Sequence, residues 1–300
     1  MNTTAKQLLK ETILKIEGAY APATIRAYRA NFERFIDFSE SLNECALPAT
    51  SMLLTRFIKQ ISDGRLKSAS IRIAIASISS IHKLNQYDDP TTHPEVRLEL
   101  RRMHRTLGRG SKQAMGINEG TLQRMINHTE DNLIGFRDRA LILTAYSGMC
   151  RRSEVTELRV EDISYTSDKS IKIRLRRSKT DQYGLGRWLF LNAVAQESII
   201  DWLKASGIQE GKLFRGVNRP NQLSERLSTS QDNRIYKKLA RKSDLDLALI
   251  NGISGHSMRV GAAQDLLISG TSLAKIMQRG RWSKTDTVMR YLENSTLIGK

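Results

Sequence analysis

The chain has 300 residues, enough for two domains with a core each. Lysine and arginine total 48 against 31 for aspartate and glutamate, and a net charge of +17 calls for a polyanionic partner, nucleic acid before others. Aromatic residues are 6% of the chain, too few for an extended base-stacking surface, which favours duplex over single strands, and two cysteines exclude a disulfide framework.

Lys6, Lys10, Glu11, Lys15 and Glu17 interrupt the apolar pattern of the first twenty residues, so these are no signal peptide. No run of about 18 apolar residues follows that could span a bilayer. With Cys45 and Cys150 far apart, a reducing compartment is expected, and the protein is read as soluble and cytoplasmic. Behind Pro22, the spacing of Ile25, Tyr28, Phe32, Phe35 and Ile36 predicts an amphipathic helix. Leu53, Leu54, Phe57 and Ile61 repeat the pattern over 51–61, and Ile71, Ile75, Ile78 and Ile81 over 68–84, although Ile71, Ile73 and Ile75 also alternate as in a strand. The other face of this last segment, with Arg72, is small and polar enough to enter a major groove, or is a plain solvated surface. From Arg101 to Asn118 there is no acidic residue. Arg101, Arg102, Arg105, Arg109 and Lys112, with Gly108, Gly110 and Gly116, read as a basic, flexible linker, or as a solvated helix end followed by a neutral tether.

Beyond it, helices are predicted over 119–128 and 134–147, then a hairpin in which Ile171, Ile173 and Leu175 alternate with charged residues and Trp188 and Phe190 follow a Gly184/Gly186 turn. Helices over 196–204, 230–242, 257–268, 272–278 and 284–292 complete a mostly helical second half. The expected fold is mainly α: a helical DNA-binding domain over 1–106, a linker over 107–117, and a second domain over 118–300 with a small antiparallel sheet.

Five separated motifs carry the chemistry: Arg151-Arg152-Ser153-Glu154, Ser178-Lys179-Thr180, Gly255-His256-Ser257-Met258-Arg259, Arg281-Trp282, and Tyr291 nine positions after the tryptophan. Arginines, a histidine, a lysine and an indole N–H can surround one phosphodiester with donors and positive charge, leaving a tyrosine hydroxyl as nucleophile. A phenol titrates near pH 10, so such a nucleophile needs the cationic cluster to favour its phenolate. An indole donates but cannot accept a proton, so Trp282 can bind a non-bridging oxygen or pack, and cannot act as base. Glycines 252, 255 and 261 are expected to let a DNA backbone approach. No metal-ligand motif and no nucleotide-binding glycine loop occurs, so no cofactor is expected.

The order and spacing of these motifs resemble the tyrosine recombinase (phage-type integrase) family, and the stretch from Ser254 to Asp265 with Trp282 looks most like its Cre-type branch. The resemblance implies two domains clamping duplex DNA. It makes Arg151, in Arg-x-Ser-Glu spacing, and Arg259 the clamps on the scissile phosphate, with Glu154 orienting Arg151 or a neighbour. His256 becomes a proton acceptor or hydrogen-bond donor, Lys179 the general acid on the leaving 5′ oxygen, and Tyr291 the nucleophile. It further implies a homotetramer on two duplexes with inverted half-sites, passing through a four-way junction. Nine residues follow Tyr291, fewer than in the Cre branch, so a weaker tetramer is expected. Two other readings stay open: a type IB topoisomerase-like enzyme and a non-catalytic DNA-binding protein.

Overall fold

The computed structural model describes residues 4–64, 66–110, 113–167, 170–176, 184–218 and 221–292. The chain divides into two compact units, Met1–Lys112 and Gln113–Lys300.

In the first unit the described helices are α1 (Ala5–Lys15), α2 (Pro22–Ser41), α3 (Ser51–Asp63), α4 (Ser68–Leu84) and α5 (Pro94–Leu107). Thr4 and Thr50 start α1 and α3 by accepting the N–H of Gln7 and Leu53, groups that lack a partner inside the helix. Pro22 and Pro94 open α2 and α5, where no N–H is required. The apolar stripes of α2, α3 and α4 meet in one core, with the Phe57 ring 5.0 Å from Phe35 and 5.2 Å from Phe38. Segment 68–84 is helix throughout, and Ile73, the residue that made it alternate like a strand, is 52% exposed. His82 is fully buried on α4, its Nδ1 2.8 Å from the Ile78 carbonyl and its Nε2 accepting the Ala49 N–H at 3.0 Å. That pair of contacts defines the neutral ring, and burial lowers its pKa.

Part of the basic run expected to be flexible linker is helix. Arg101, Arg102 and Arg105 lie on the exposed side of α5, whose buried side carries Val96, Glu99 and Met103. Apolar positions this sparse are hidden by the surrounding charge, and the acid that belongs to the helix, Glu99, pairs with Arg102 at 2.8 Å from just outside the basic stretch.

Among the described residues the second unit is mostly helical around two small antiparallel sheets. Helices α6 (Glu119–Asn127), α7 (Leu133–Ser147) and α8 (Arg152–Glu157) precede strands β1 (Ile163–Tyr165), β2 (Ile171–Leu175) and β3 (Arg187–Leu189). The sheet order is β1-β2-β3, with Ile173 opposite both Ile163 and Leu189, so its inner face is aliphatic. Helix α9 (Ala193–Ser206), the two-residue strands β4 (Val217–Asn218) and β5 (Gln222–Leu223), and helices α10 (Thr229–Lys242) and α11 (Leu247–Gly252) follow. Helices α12 (Ser257–Ile268), α13 (Leu273–Gly280) and α14 (Thr285–Leu292) close the described chain. Helix α7 is buried on every side from Ala140 to Ala145, as an all-round apolar helix must be, and packs on α9 in the main core. A smaller cluster joins Met149, Ala262, Ala263, Ile276, Trp282, Val288 and Leu292, uniting α12, α13 and α14. No described helix is long and apolar enough to cross a membrane.

Candidate active site

The site is assembled where α7 ends. After Gly148, Met149 takes a left-handed backbone conformation (φ 46°), and Arg151 becomes the residue that precedes α8. Glu154, one turn into α8, reaches back: its Oε2 accepts the Arg151 backbone N–H at 2.9 Å and its Oε1 the Arg151 Nη1 at 2.6 Å. A carboxylate near a helix start is favoured by the exposed N–H groups there, and this one also fixes a guanidinium. Burial opposes its charge, but Arg281 and Arg151 outweigh burial and hold the Glu154 carboxyl below its ordinary pKa.

Arg259, 1% exposed, extends from the first turn of α12 into the same place. Its Nη1 donates to the Met149 carbonyl at 2.7 Å, its Nη2 donates to the Gly280 carbonyl, and its guanidinium carbon lies 4.2 Å from the centre of the Trp282 ring. Burial, then the neighbouring Arg151 and Arg281 charges, push the Arg259 guanidinium down to about 9, whereas Glu154 and Tyr291 act in the opposite sense. Such a cation gains most from an anion brought to it, and a phosphate would restore the balance.

Trp282 arrives through a sharp return. Arg281 is left-handed (φ 56°, ψ 47°) at the end of α13, and the indole folds against Gly280, where a Cβ has no room. The Trp282 ring sits 5.8 Å from the half-buried Tyr291 ring at 46°. Tyr291 is placed through its backbone, because Gln264 Nε2 of α12 donates to the Tyr291 carbonyl at 3.0 Å and Gln113 Nε2 donates to the Arg290 carbonyl at 2.5 Å. The other tyrosines of this unit that touch the neighbourhood are committed elsewhere: Tyr146 donates to Asp265 and Tyr236 is buried, and both hydroxyls are pushed up in pKa first by burial.

His256 is the residue that caps Arg259's helix, its carbonyl accepting the Val260 N–H at 2.9 Å. It is exposed and precedes α12 with φ −105° and ψ −8°, while Arg259 is buried one turn in. Lys179 and Lys112 lie outside the described residues. Among the described residues no group of three or more His, Cys, Asp or Glu side chains could hold a metal ion. The three glycines expected to admit DNA serve the protein's own packing. A Cβ on Gly252 would meet Met115, on Gly255 the Arg152 side chain at 2.6 to 3.0 Å, and on Gly261 the Ile117 backbone. The segment 115–117 is bonded there, Met115 N–H to the Gly252 carbonyl at 3.2 Å and Ile117 N–H to the Ser257 carbonyl at 3.0 Å.

Two family patterns cover most of this architecture: the N-terminal SAM-like domain of phage integrases matches residues 11–86, and the phage integrase family itself matches residues 117–297. The chain belongs to the phage integrase family. An integrase/recombinase xerD homolog of Selenomonas ruminantium is 26% identical over 295 residues, covering 95% of this chain and 85% of its own. The recombinase cre of Escherichia phage P1 is 28% identical over 243 residues, covering 75% of this chain and 70% of its own. A solved structure of the XerH site-specific recombinase bound to palindromic difH substrate, a post-cleavage complex, shares the fold with a TM-score of 0.66 at 16% identity, over 96% of this chain and 80% of that one. In this integrase the fold is therefore the family's, a helical first unit and a mainly helical second unit with small antiparallel ladders.

The first unit carries the other predicted residues. Arg72 is exposed on α4, and Arg101, Arg102, Arg105 and Arg109 border a groove with Leu98 and His104. Burial, then the Arg109 and Arg72 charges, lower the pKa of His104, so these arginines share one field. Sequence reasoning named Arg281 only as the neighbour of Trp282, with no role of its own, and missed two site-building residues in the second unit, Gln264 and Gln113.

Proposed function

We propose that this chain is a tyrosine site-specific DNA recombinase in which Tyr291 is the nucleophile and Arg151 and Arg259 hold the scissile phosphate. The observation that carries the reading is the cluster of Arg151, Arg259, Trp282 and Tyr291, brought from three separate segments to one place, with Arg259 4.2 Å from the Trp282 ring and that ring 5.8 Å from Tyr291. In the reaction the Tyr291 oxygen attacks phosphorus and the bond to the 5′ oxygen breaks. The products are a 3′-phosphotyrosine and a 5′-hydroxyl. His256 takes the phenol's proton, Lys179 supplies one to the leaving oxygen, and the guanidiniums of Arg151 and Arg259 stabilise charge on the non-bridging oxygens. The covalent bond preserves the energy of the phosphodiester, so a 5′-hydroxyl from the partner duplex rejoins it without ATP. Glu154 orients Arg151, and Trp282 packs Arg259 against the nucleophile's helix.

DNA is the partner. Two duplexes with inverted half-sites held by four protomers in the cytoplasm fit the mechanism, with Arg72, Arg101, Arg102, Arg105, Arg109 and Lys112 contacting phosphates. The test is covalent trapping: duplexes selected from a random pool are nicked near the centre and mixed with wild type and Tyr291→Phe. The expected result is an SDS-resistant adduct with wild type alone while both bind. An adduct with both variants would exclude Tyr291 as nucleophile. Exchange of flanking DNA between two plasmid-borne sites then separates recombination from relaxation of a single duplex.

A further inference from the structure

Arg281 occupies a position for which its backbone is poorly suited. Its φ of 56° lies in the left-handed region that an L side chain enters at a cost and a glycine does not. The side chain held there is 8% exposed and directed into the protein. Nη1 donates to the Gly148 carbonyl at 3.0 Å; Nη2 donates to the Met149 carbonyl at 3.0 Å and to Glu154 Oε2 at 2.9 Å. Two of these acceptors are shared. Glu154 also receives Arg151, and the Met149 carbonyl also receives Arg259. The result is an unbroken path Arg151, Glu154, Arg281, Met149, Arg259, with Arg281 as its central link. Nη2 alone makes both links of that path, while Nη1 holds the Gly148 and Arg279 carbonyls at 3.0 and 3.2 Å, so four acceptors are met by one planar fork whose spread over two nitrogens a lysine's single ammonium cannot copy. Its Nε is buried without a hydrogen-bond partner among the described residues, so the fold uses the fork and not the whole group.

We propose that Arg281 is a positioning residue for cleavage: a strut that sets the spacing and orientation of Arg151 and Arg259, so that both reach one phosphate. The proposal rests on the reading of those two arginines as the phosphate clamp. Buried Arg281 donates to protein acceptors and acts through two of them, Glu154 and the Met149 carbonyl.

The experiment measures single-turnover adduct formation on the nicked duplex by the full chain, with Arg281→Gly, Arg281→Lys and Arg151→Lys beside wild type. Glycine accepts the left-handed backbone, so Arg281→Gly removes the fork without adding strain. A clamp displaced by a fraction of an ångström should slow adduct formation about 10- to 100-fold while DNA affinity stays within a few-fold of wild type. Guanidinium ion at low millimolar concentration should recover part of that rate in Arg281→Gly and leave wild type and Arg281→Lys unchanged, a rescue that a loss of stability alone would not show. Wild-type rates in Arg281→Gly, or a lost rate that guanidinium leaves untouched, would overturn the proposal. Should the glycine variant fail to fold, Arg281→Lys decides on the same rate, and cleavage at the wild-type rate overturns it. If Arg151→Lys also cleaves like wild type, the clamp reading itself fails; if Arg151→Lys is inactive while Arg281→Gly is unaffected, only the strut is lost.

Discussion

Replacing Glu154 by glutamine tests the electrostatics of the site with almost no change of shape. Glu154 is 2% exposed and accepts three donors, the Arg151 backbone N–H, Arg151 Nη1 and Arg281 Nη2. An amide has one acceptor oxygen, and its NH2 would face a donor, so two guanidiniums lose their counter-charge and at least one N–H loses its partner. Removing one member of a buried ion pair costs about 3 to 5 kcal/mol. For a unit the size of Gln113–Lys300, this lowers Tm by roughly 6 to 20 °C. The pH dependence fixes the cause. Because the carboxyl is held below its ordinary value of 4.5, its contribution is complete above that pH and is lost as pH falls through the depressed value. Melting curves of the full chain and Glu154→Gln should therefore lie far apart at neutral pH and converge in acid. A gap below about 2 °C at neutral pH, or one that persists unchanged in acid, refutes an ionised Glu154 as the centre of the site.

Asp232 is fully buried on α10 with neither carboxylate oxygen in a well-formed hydrogen bond, although Tyr236 approaches it, and burial pushes its carboxyl up to about 7. A raised value means stability present below about 3.8 and lost as pH rises through 7, so Asp232→Asn should stabilise the protein by up to about 4 kcal/mol at pH 8 and by little in acid, as read by urea unfolding. Cys45 is exposed, whereas burial pushes the Cys150 thiol up to about 12. A thiol-disulfide reagent should modify one cysteine in the native protein and the second only on unfolding; rapid reaction of both would place Cys150 wrongly. Gly261→Ala drives a Cβ into the Ile117 backbone and should cost about 1 to 3 kcal/mol or more, with an unchanged melting temperature as the refuting result.

The long helices were legible because their apolar residues recur at helical spacing, as with Phe32, Phe35 and Ile36 on α2. Short elements were not: α8, α11, β1 and the two-residue strands β4 and β5 are too brief for any period to show. At the site, Arg151, Glu154, Arg259, Trp282 and Tyr291 were singled out by motif order, and the structure brings them together. Arg281 stood beside Trp282 in the same motif, yet its partners Gly148, Met149 and Glu154 lie more than a hundred residues away in the chain, so its role is a property of the fold. The glycines at 252, 255 and 261 were misread because absence of a side chain leaves room without saying for what.

The bond from Gln113 to the Arg290 carbonyl joins the two ends of the described second unit. Gln113 is the first residue of that unit, and Arg290 is the neighbour of Tyr291. The helix that bears the nucleophile is therefore fastened to the segment of chain that opens the unit, and Tyr291 stands at the closure of a loop of backbone whose ends lie 177 residues apart in the sequence.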